Sequence, residues 1–199
     1  MLAEERDFCN YLKTMEENFD KSGQFEVPSL QPVHIDMDNV ELIGFNYCTQ
    51  PRFKESVLPH NGNSFVHFFL PDTYIERTWK KPEYYADVFA RFGGIIQPDC
   101  SEYMNMPKAM KVWQHYRRQW LGAYYQSRGI VVIPAPCWSD EESFEYCFDG
   151  MPKHSCLCIS SVGCLKNVET RKLFLAGLRK CIEVLEPDQI LWYGSINEE

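Results

Sequence analysis

Along the chain, short apolar runs alternate with longer amphipathic stretches, and each run closes on proline, small or polar residues. The clearest is FGGIIQPDCS, Phe92 to Ser101, where two glycines open an apolar run that Pro98, Asp99, Cys100 and Ser101 close. SFVHFFLPD precedes it, and GIVVIPAPCWSD, SCLCISSVGC and QILWYGS follow. A helix-length segment follows every one of these runs except the last. Strands alternating with helices predict βαβ units and a parallel sheet, because parallel neighbours need a long crossover.

Taken in order, residues 3–17 predict an amphipathic helix with Phe8, Tyr11, Leu12 and Met15 on one face. Residues 21–33, with Pro28 and Pro32, read as a connector, and Val40 to Cys48 as a first strand. Residues 49–63 form a loop of lid-like length. Ser64 to Leu70 is the second strand. Asp72 is placed to cap a helix from Thr73 to Phe92, which Pro82 breaks near Lys81.

Gly94 to Pro98 follows as a strand, and a helix then starts at Asn105 with Pro107 in its first turn. Ala109, Trp113, Tyr116, Trp120 and Tyr124 predict its buried stripe, and Gly129 its end. Ile130 to Pro134 is the next strand, and Ser139 to Glu142 matches a capping box for a helix ending near Asp149 and Gly150. Ser155 to Val162 is a strand, Asn167 caps a helix from Glu169 to Leu185, and Gln189 to Tyr193 is the last strand.

These elements predict an α/β fold, a parallel sheet of about six strands with crossover helices plus an N-terminal helix. A complete eight-stranded barrel typically needs about 250 residues, so the alternatives are an incomplete TIM-barrel-like sheet, which is preferred, or an open doubly wound one. The expected division is residues 1–39, helix and connector packing on the core, and residues 40–199, the α/β core.

Composition narrows the function classes. The 199 residues carry a net charge of -8, which argues against broad binding to a phosphate backbone. No apolar run reaches the roughly 18 to 20 residues that cross a bilayer, and the acidic N-terminus lacks the pattern of a signal peptide, so a cytoplasmic location is expected. The nine cysteines are expected as reduced thiols, most of them core filler, and there is no CxxC pair. His154, Cys156 and Cys158 alternate on one strand face but lack the turn-borne ligand pairs usual for zinc, so no metal site is assigned. Lys108, Lys111, Arg117 and Arg118, interleaved with Trp113 and Trp120, read as the solvated face of a helix.

In a parallel sheet, ligands collect at the carboxyl ends of the strands. Asp99 and Asp140 are the candidate acid/base residues, with Asn46, Ser101, Trp138, Ser160, Ser161, Gly163, Lys166, Tyr193 and Ser195 as candidate ligand-binding residues. Asp99 is the most informative, since it follows a proline at a strand tip, several residues before the next helix. Ser160 to Lys166 offers amides, hydroxyls and a cation to a phosphate, although it is not a P-loop. Cys164, near a helix start, lacks an assignable histidine partner for nucleophilic chemistry, and His67 reads as a core residue.

The strings HFFLPD, IIQPDCSEYMNMP, the block from WQHYRRQW to FDGMPKHS, and the late WYGS together resemble the domain-of-unknown-function family 4417 over roughly Val40 to Ser195. The resemblance implies a phage, prophage or mobile-element origin and no established activity. Two functions are therefore expected as alternatives. One is a polar small-molecule site, for a nucleotide or other phosphorylated ligand, at the strand ends. The other is a phage anti-defence protein that binds a host immune protein or ribonucleoprotein through its acidic surface. No cofactor is assigned, and no membrane partner is expected.

Overall fold

The computed structural model describes residues 17–50 and 62–195. The predicted N-terminal helix and most of the lid-length loop lie outside the described residues. The protein is a mixed α/β structure built on four parallel strands, β3 (Glu41–Gly44), β4 (Ser64–His67), β5 (Gly94–Ile96) and β6 (Val132–Ile133), each hydrogen-bonded to the next in chain order. A second parallel pair is formed by β7 (Cys156–Ser160) and β8 (Gln189–Tyr193). The Cys158 amide donates to the Pro134 carbonyl at 2.8 Å, which ties this pair to the chain leaving β6. No closed barrel forms among the described residues. The connector expected over residues 21–33 contains a small antiparallel hairpin, β1 (Lys21–Ser22) with β2 (Val27–Pro28), whose Val27 is fully buried.

The strands alternate between two buried faces, so they read as nearly continuous apolar runs. Ile43, Val66, Ile95 and Val132 point to one side, against helices α2 (Asp72–Lys80), α3 (Pro82–Phe89) and α4 (Lys108–Ser127). Phe65, Ile96, Ile133, Cys156 and Cys158 point to the other and form one cluster with Leu42 and Leu191. The core-filler reading of Cys156 and Cys158 fits this cluster. His154 turns away from it: its ring is 62% exposed, beside Asp188 and Glu186. Leu157 and Ile159 pack on helix α5 (Val168–Leu185) through Phe174, Cys181 and Leu185.

Several elements depart from the sequence reading. The first strand is only Glu41–Gly44, after which Phe45–Cys48 forms a helical turn, α1. A strand would send Phe45 and Cys48 to opposite faces, whereas one helical turn puts both in the core. β4, β5 and β6 stop short ahead of prolines, β7 covers Cys156–Ser160 of the expected Ser155 to Val162, and Gln189–Tyr193 is as expected. Pro98 has no amide to donate to the ladder, and beside it the buried Gln97 side chain accepts from the Ala135 amide at 3.0 Å. Pro82 does break the long helix at Lys81, and Asn167 does cap α5, its Oδ1 accepting from the Thr170 amide at 2.9 Å.

Three cap assignments change. Helix α4 begins at Lys108 after Pro107 rather than at Asn105. Asp72 lies inside the first turn of α2 and caps nothing; its Oδ1 accepts from the Ser101 hydroxyl at 2.8 Å. The capping box is Asp140 with Ser143, one residue later than predicted, and it opens a 3-10 turn, Glu141–Glu145, instead of an α-helix. Among the described residues, no helix is long and apolar enough to cross a membrane.

The largest departure is the inward face of α4. Trp120 and Tyr124 are buried as predicted, but Trp113 is 36% exposed and Ala109 is also exposed. Lys111, His115 and Arg118 are buried instead, and their face continues downstream through Gly122 and Tyr125 at spacings of four and three. The basic residues read as a solvated face thus include three, Lys111, Arg117 and Arg118, that the fold takes inside.

Candidate functional site

A cavity of about 360 Å³ opens at the carboxyl ends of β5, β6 and β7, beside the first turns of α5. Pro98 and Pro136 turn the chain out of the sheet there, and the loops after the strands supply polar groups. Of the residues predicted from sequence, Asp99, Ser101, Trp138, Ser160 and Gly163 line it. Phe69, Phe174, Tyr103 and Met104 add apolar wall, the last two exposed at 55% and 61%.

Asp140, the other candidate acid, is not among the lining residues. Its carboxylate caps the 3-10 turn through the Ser143 amide and pairs with the Lys111 ammonium. Burial alone would raise its pKa, but Lys111 and the Ser143 amide outweigh burial and hold it below the ordinary value. The remaining predicted residues do not line the cavity. Tyr193 stacks on Phe69 at 4.9 Å and lies 4.6 Å from the His67 ring. The buried Ser161 hydroxyl donates to the Ser195 carbonyl at 2.8 Å. Asn46 folds back over β3: a Cβ added to Gly44 would fall 2.6 Å from its Oδ1. Lys166 is exposed on the loop before α5.

Beneath the cavity lies a charged network that the sequence reading missed. Arg118 is fully buried, and its Nη1 stands 3.9 Å from both Asp99 Oδ1 and Glu102 Oε1. Glu102 also accepts from the Tyr146 hydroxyl at 3.0 Å. The other Arg118 nitrogen, Nη2, lies 3.2 Å from His115 Nδ1, while His115 Nε2 lies 3.0 Å from the Asp149 carbonyl. A guanidinium only donates and a carbonyl only accepts, so the ring is neutral, with its proton on Nε2. Burial and Arg118 together depress the His115 pKa to about 3. Gln114 completes the support by donating to the Ser101 carbonyl at 3.2 Å, and it also accepts from Arg117, whose Nη1 pairs with Glu76 at 2.6 Å.

The electrostatics follow from this packing. Burial pushes Glu102 up from 4.5 to about 7, with Arg118 and Tyr146 opposing. Asp99 moves in the same direction for the same reason, with Arg118 again opposing and Asp72 adding to the rise. Burial works against the Arg118 charge, while the Glu102 and Asp99 carboxylates beside it favour the charged form. Two acids that share one cation and both titrate above the usual range are suited to passing a proton between them. The thiols are less apt: burial raises Cys137 and Cys164, leaving both protonated.

The signal that would have found the network is positional. Lys111, His115 and Arg118 repeat at four and three residues, in phase with Gly122 and Tyr125, so a core-facing register was written in polar residues. Glu102 gave no such signal, being one acid in an irregular loop.

Comparison with known proteins places the chain among phage proteins. It is 38% identical over 178 residues to the Gene 1 protein of Mycobacterium phage L5, covering 89% of this chain and 75% of that protein. It is 36% identical over 178 residues to the Gene 1 protein of Mycobacterium phage D29, covering 89% of this chain and 63% of that protein. The chain thus spans less than two thirds of the D29 relative's length. No solved structure matches it. The domain of unknown function DUF4417 matches residues 19–199, which agrees with the resemblance seen in the sequence strings, and the chain belongs to that family.

Proposed function

We propose that the six strands β3 to β8 act as an incomplete barrel whose carboxyl rim holds a polar small molecule, with Asp99 as its main contact. The carrying observation is the cavity itself: Asp99 lines it at 26% side-chain exposure, over a fully buried Arg118 that no solvent reaches. A buried cation held for a half-open carboxylate is costly as mere architecture, since both groups give up hydration. Three further facts favour the barrel-like reading: the strand neighbours follow chain order, the β6 to β7 hydrogen bond joins the two sheets, and one apolar cluster draws on all six strands. A volume of about 360 Å³ suits a small ligand.

The alternative, an anti-defence protein acting through an acidic surface, rests on the net charge of -8 and on the phage relatives. It takes second place because neither observation points to a surface.

The test is a thermal-shift screen of the purified protein against a metabolite panel, run beside Asp99→Asn. The proposal expects at least one compound to raise the wild-type melting temperature and to lose that effect in D99N. Hits that stabilise both proteins equally, or no hit at all, would count against it.

A further inference from the structure

The charge of the cavity decides what class of ligand it takes. Its lining residues include two charged ones, Asp99 and Glu102, and no lysine or arginine among the described residues. Arg118 balances these acids from behind, but its side chain is 0% exposed and presents no donor to an occupant. Glu102 also belongs to the lining, but its side chain is 0% exposed, so its carboxylate, like the Arg118 guanidinium, is withheld from an occupant. Asp99, at 26% side-chain exposure, is therefore the charged acceptor that the lining turns toward the cavity.

The loop that the sequence offered to a phosphate has several of its amides engaged elsewhere. The Val162 amide donates to the Ser160 hydroxyl at 3.3 Å and the Cys164 amide to the Ser161 carbonyl at 3.1 Å. The Thr170 amide, in the first turn of α5, is taken by Asn167. Trp138 and Phe174, stacked at 5.7 Å, supply an aromatic wall of the kind that attracts a cation.

We infer that the cavity binds an organic cation, a planar amidinium, guanidinium or ammonium compound, through charge-assisted hydrogen bonds to Asp99, with its apolar part against the Trp138 wall. The inference rests on the small-molecule reading above and names the ligand class for that same site. An amidinium matches a carboxylate with parallel N–H donors, and the ligand's charge meets the Asp99 carboxylate, the charged group that reaches the cavity. An anionic ligand would instead meet the Asp99 carboxylate, with no lysine or arginine in the lining to balance it.

The test is a series of near-constant shape and changing charge: benzamidine, benzamide and benzoate, titrated calorimetrically into the full chain at neutral pH. Benzamidine is expected to bind about tenfold or more tightly than benzamide, the usual scale for adding charge to a buried hydrogen bond, with benzoate weakest. In D99N the benzamidine advantage should fall to near unity. The wild-type series needs no variant to fold, so it is decisive alone. Benzoate binding as well as benzamidine, or benzamidine not binding, overturns the ligand class. The metabolite screen decides the site separately, since an anionic hit lost in D99N would keep the site while the cation assignment fell.

Discussion

The two halves of helix α4 bury their inward faces by opposite means. The carboxyl half, Trp120 to Tyr125, packs apolar and aromatic surface under the four-stranded sheet; Leu121 is 0% exposed and Trp120 stacks on Tyr124 at 5.0 Å. The amino half, Lys111 to Arg118, buries charges, each answered by a group on another element: Asp140, Glu76, Asp99 and Glu102. The first half is held by area removed from water, which any well-shaped hydrophobe would supply. The second depends on specific partners, and its net contribution to stability is small or negative compared with an apolar core. Burial of that second kind, placed directly under an open cavity, is what the proposed site asks of the amino half.

The contrast is sharpest under mutation. Arg118→Met removes the cation and leaves Asp99 and Glu102 buried together, and is expected to cost about 3–5 kcal/mol in denaturant unfolding. Leu121→Ala, on the other half, should cost about 2–5 kcal/mol through its cavity. The two separate on neutralising the acids: D99N with E102Q should recover much of the Arg118→Met loss and none of the Leu121→Ala loss. If R118M is neutral in the wild-type background, the partner-dependent account of the amino half fails.

Next in size is Gly177→Ala on α5. A Cβ there would fall 2.2 Å from Trp138 Nε1, so the indole must shift. The expected cost is about 1–3 kcal/mol of overpacking, with a changed tryptophan emission and weakened ligand binding. Unchanged emission and binding would show that Trp138 is not held against α5.

The Glu102 effect is seen as a slope with pH. Its pKa is raised from 4.5 to about 7 in the folded protein, so between those values the native state keeps a proton that the unfolded chain releases. Stability from this group therefore falls as pH rises across that window, by at most about 1.4 kcal/mol per pH unit for one proton. His67 and His115, depressed to about 4 and about 3 from 6.5, act oppositely and destabilise the fold as pH drops below 6.5. The clean comparison is wild type against Glu102→Gln, whose stability difference should change between pH 4.5 and about 7 and flatten above it.

The same contrast explains what the sequence made legible. Apolar runs punctuated by proline predicted the strands of the parallel sheets, and Pro82 and Asn167 predicted a helix break and a cap, because each acts through its own local geometry. Asp99 reached the cavity because a strand tip has few places to send a side chain. Arg118 and Lys111 were misplaced because charge alone predicts solvent, and only their partners, tens of positions away, make burial affordable. Asp140 was read as a rim acid, although its oxygens are engaged by the Ser143 amide and Lys111. Tyr193 and Asn46 sit at strand ends as expected, yet the aromatic stack on His67 and Phe69 and the fold-back over Gly44 place them outside the cavity lining.

The most direct test of the strand-end site is native mass spectrometry of the protein as purified from its expression host, wild type beside D99N. The account predicts a small-molecule adduct on the wild type that D99N loses while keeping its folded charge-state distribution. A wild-type adduct retained undiminished by D99N, or a bare protein that co-purifies with a host protein regardless of Asp99, would contradict it.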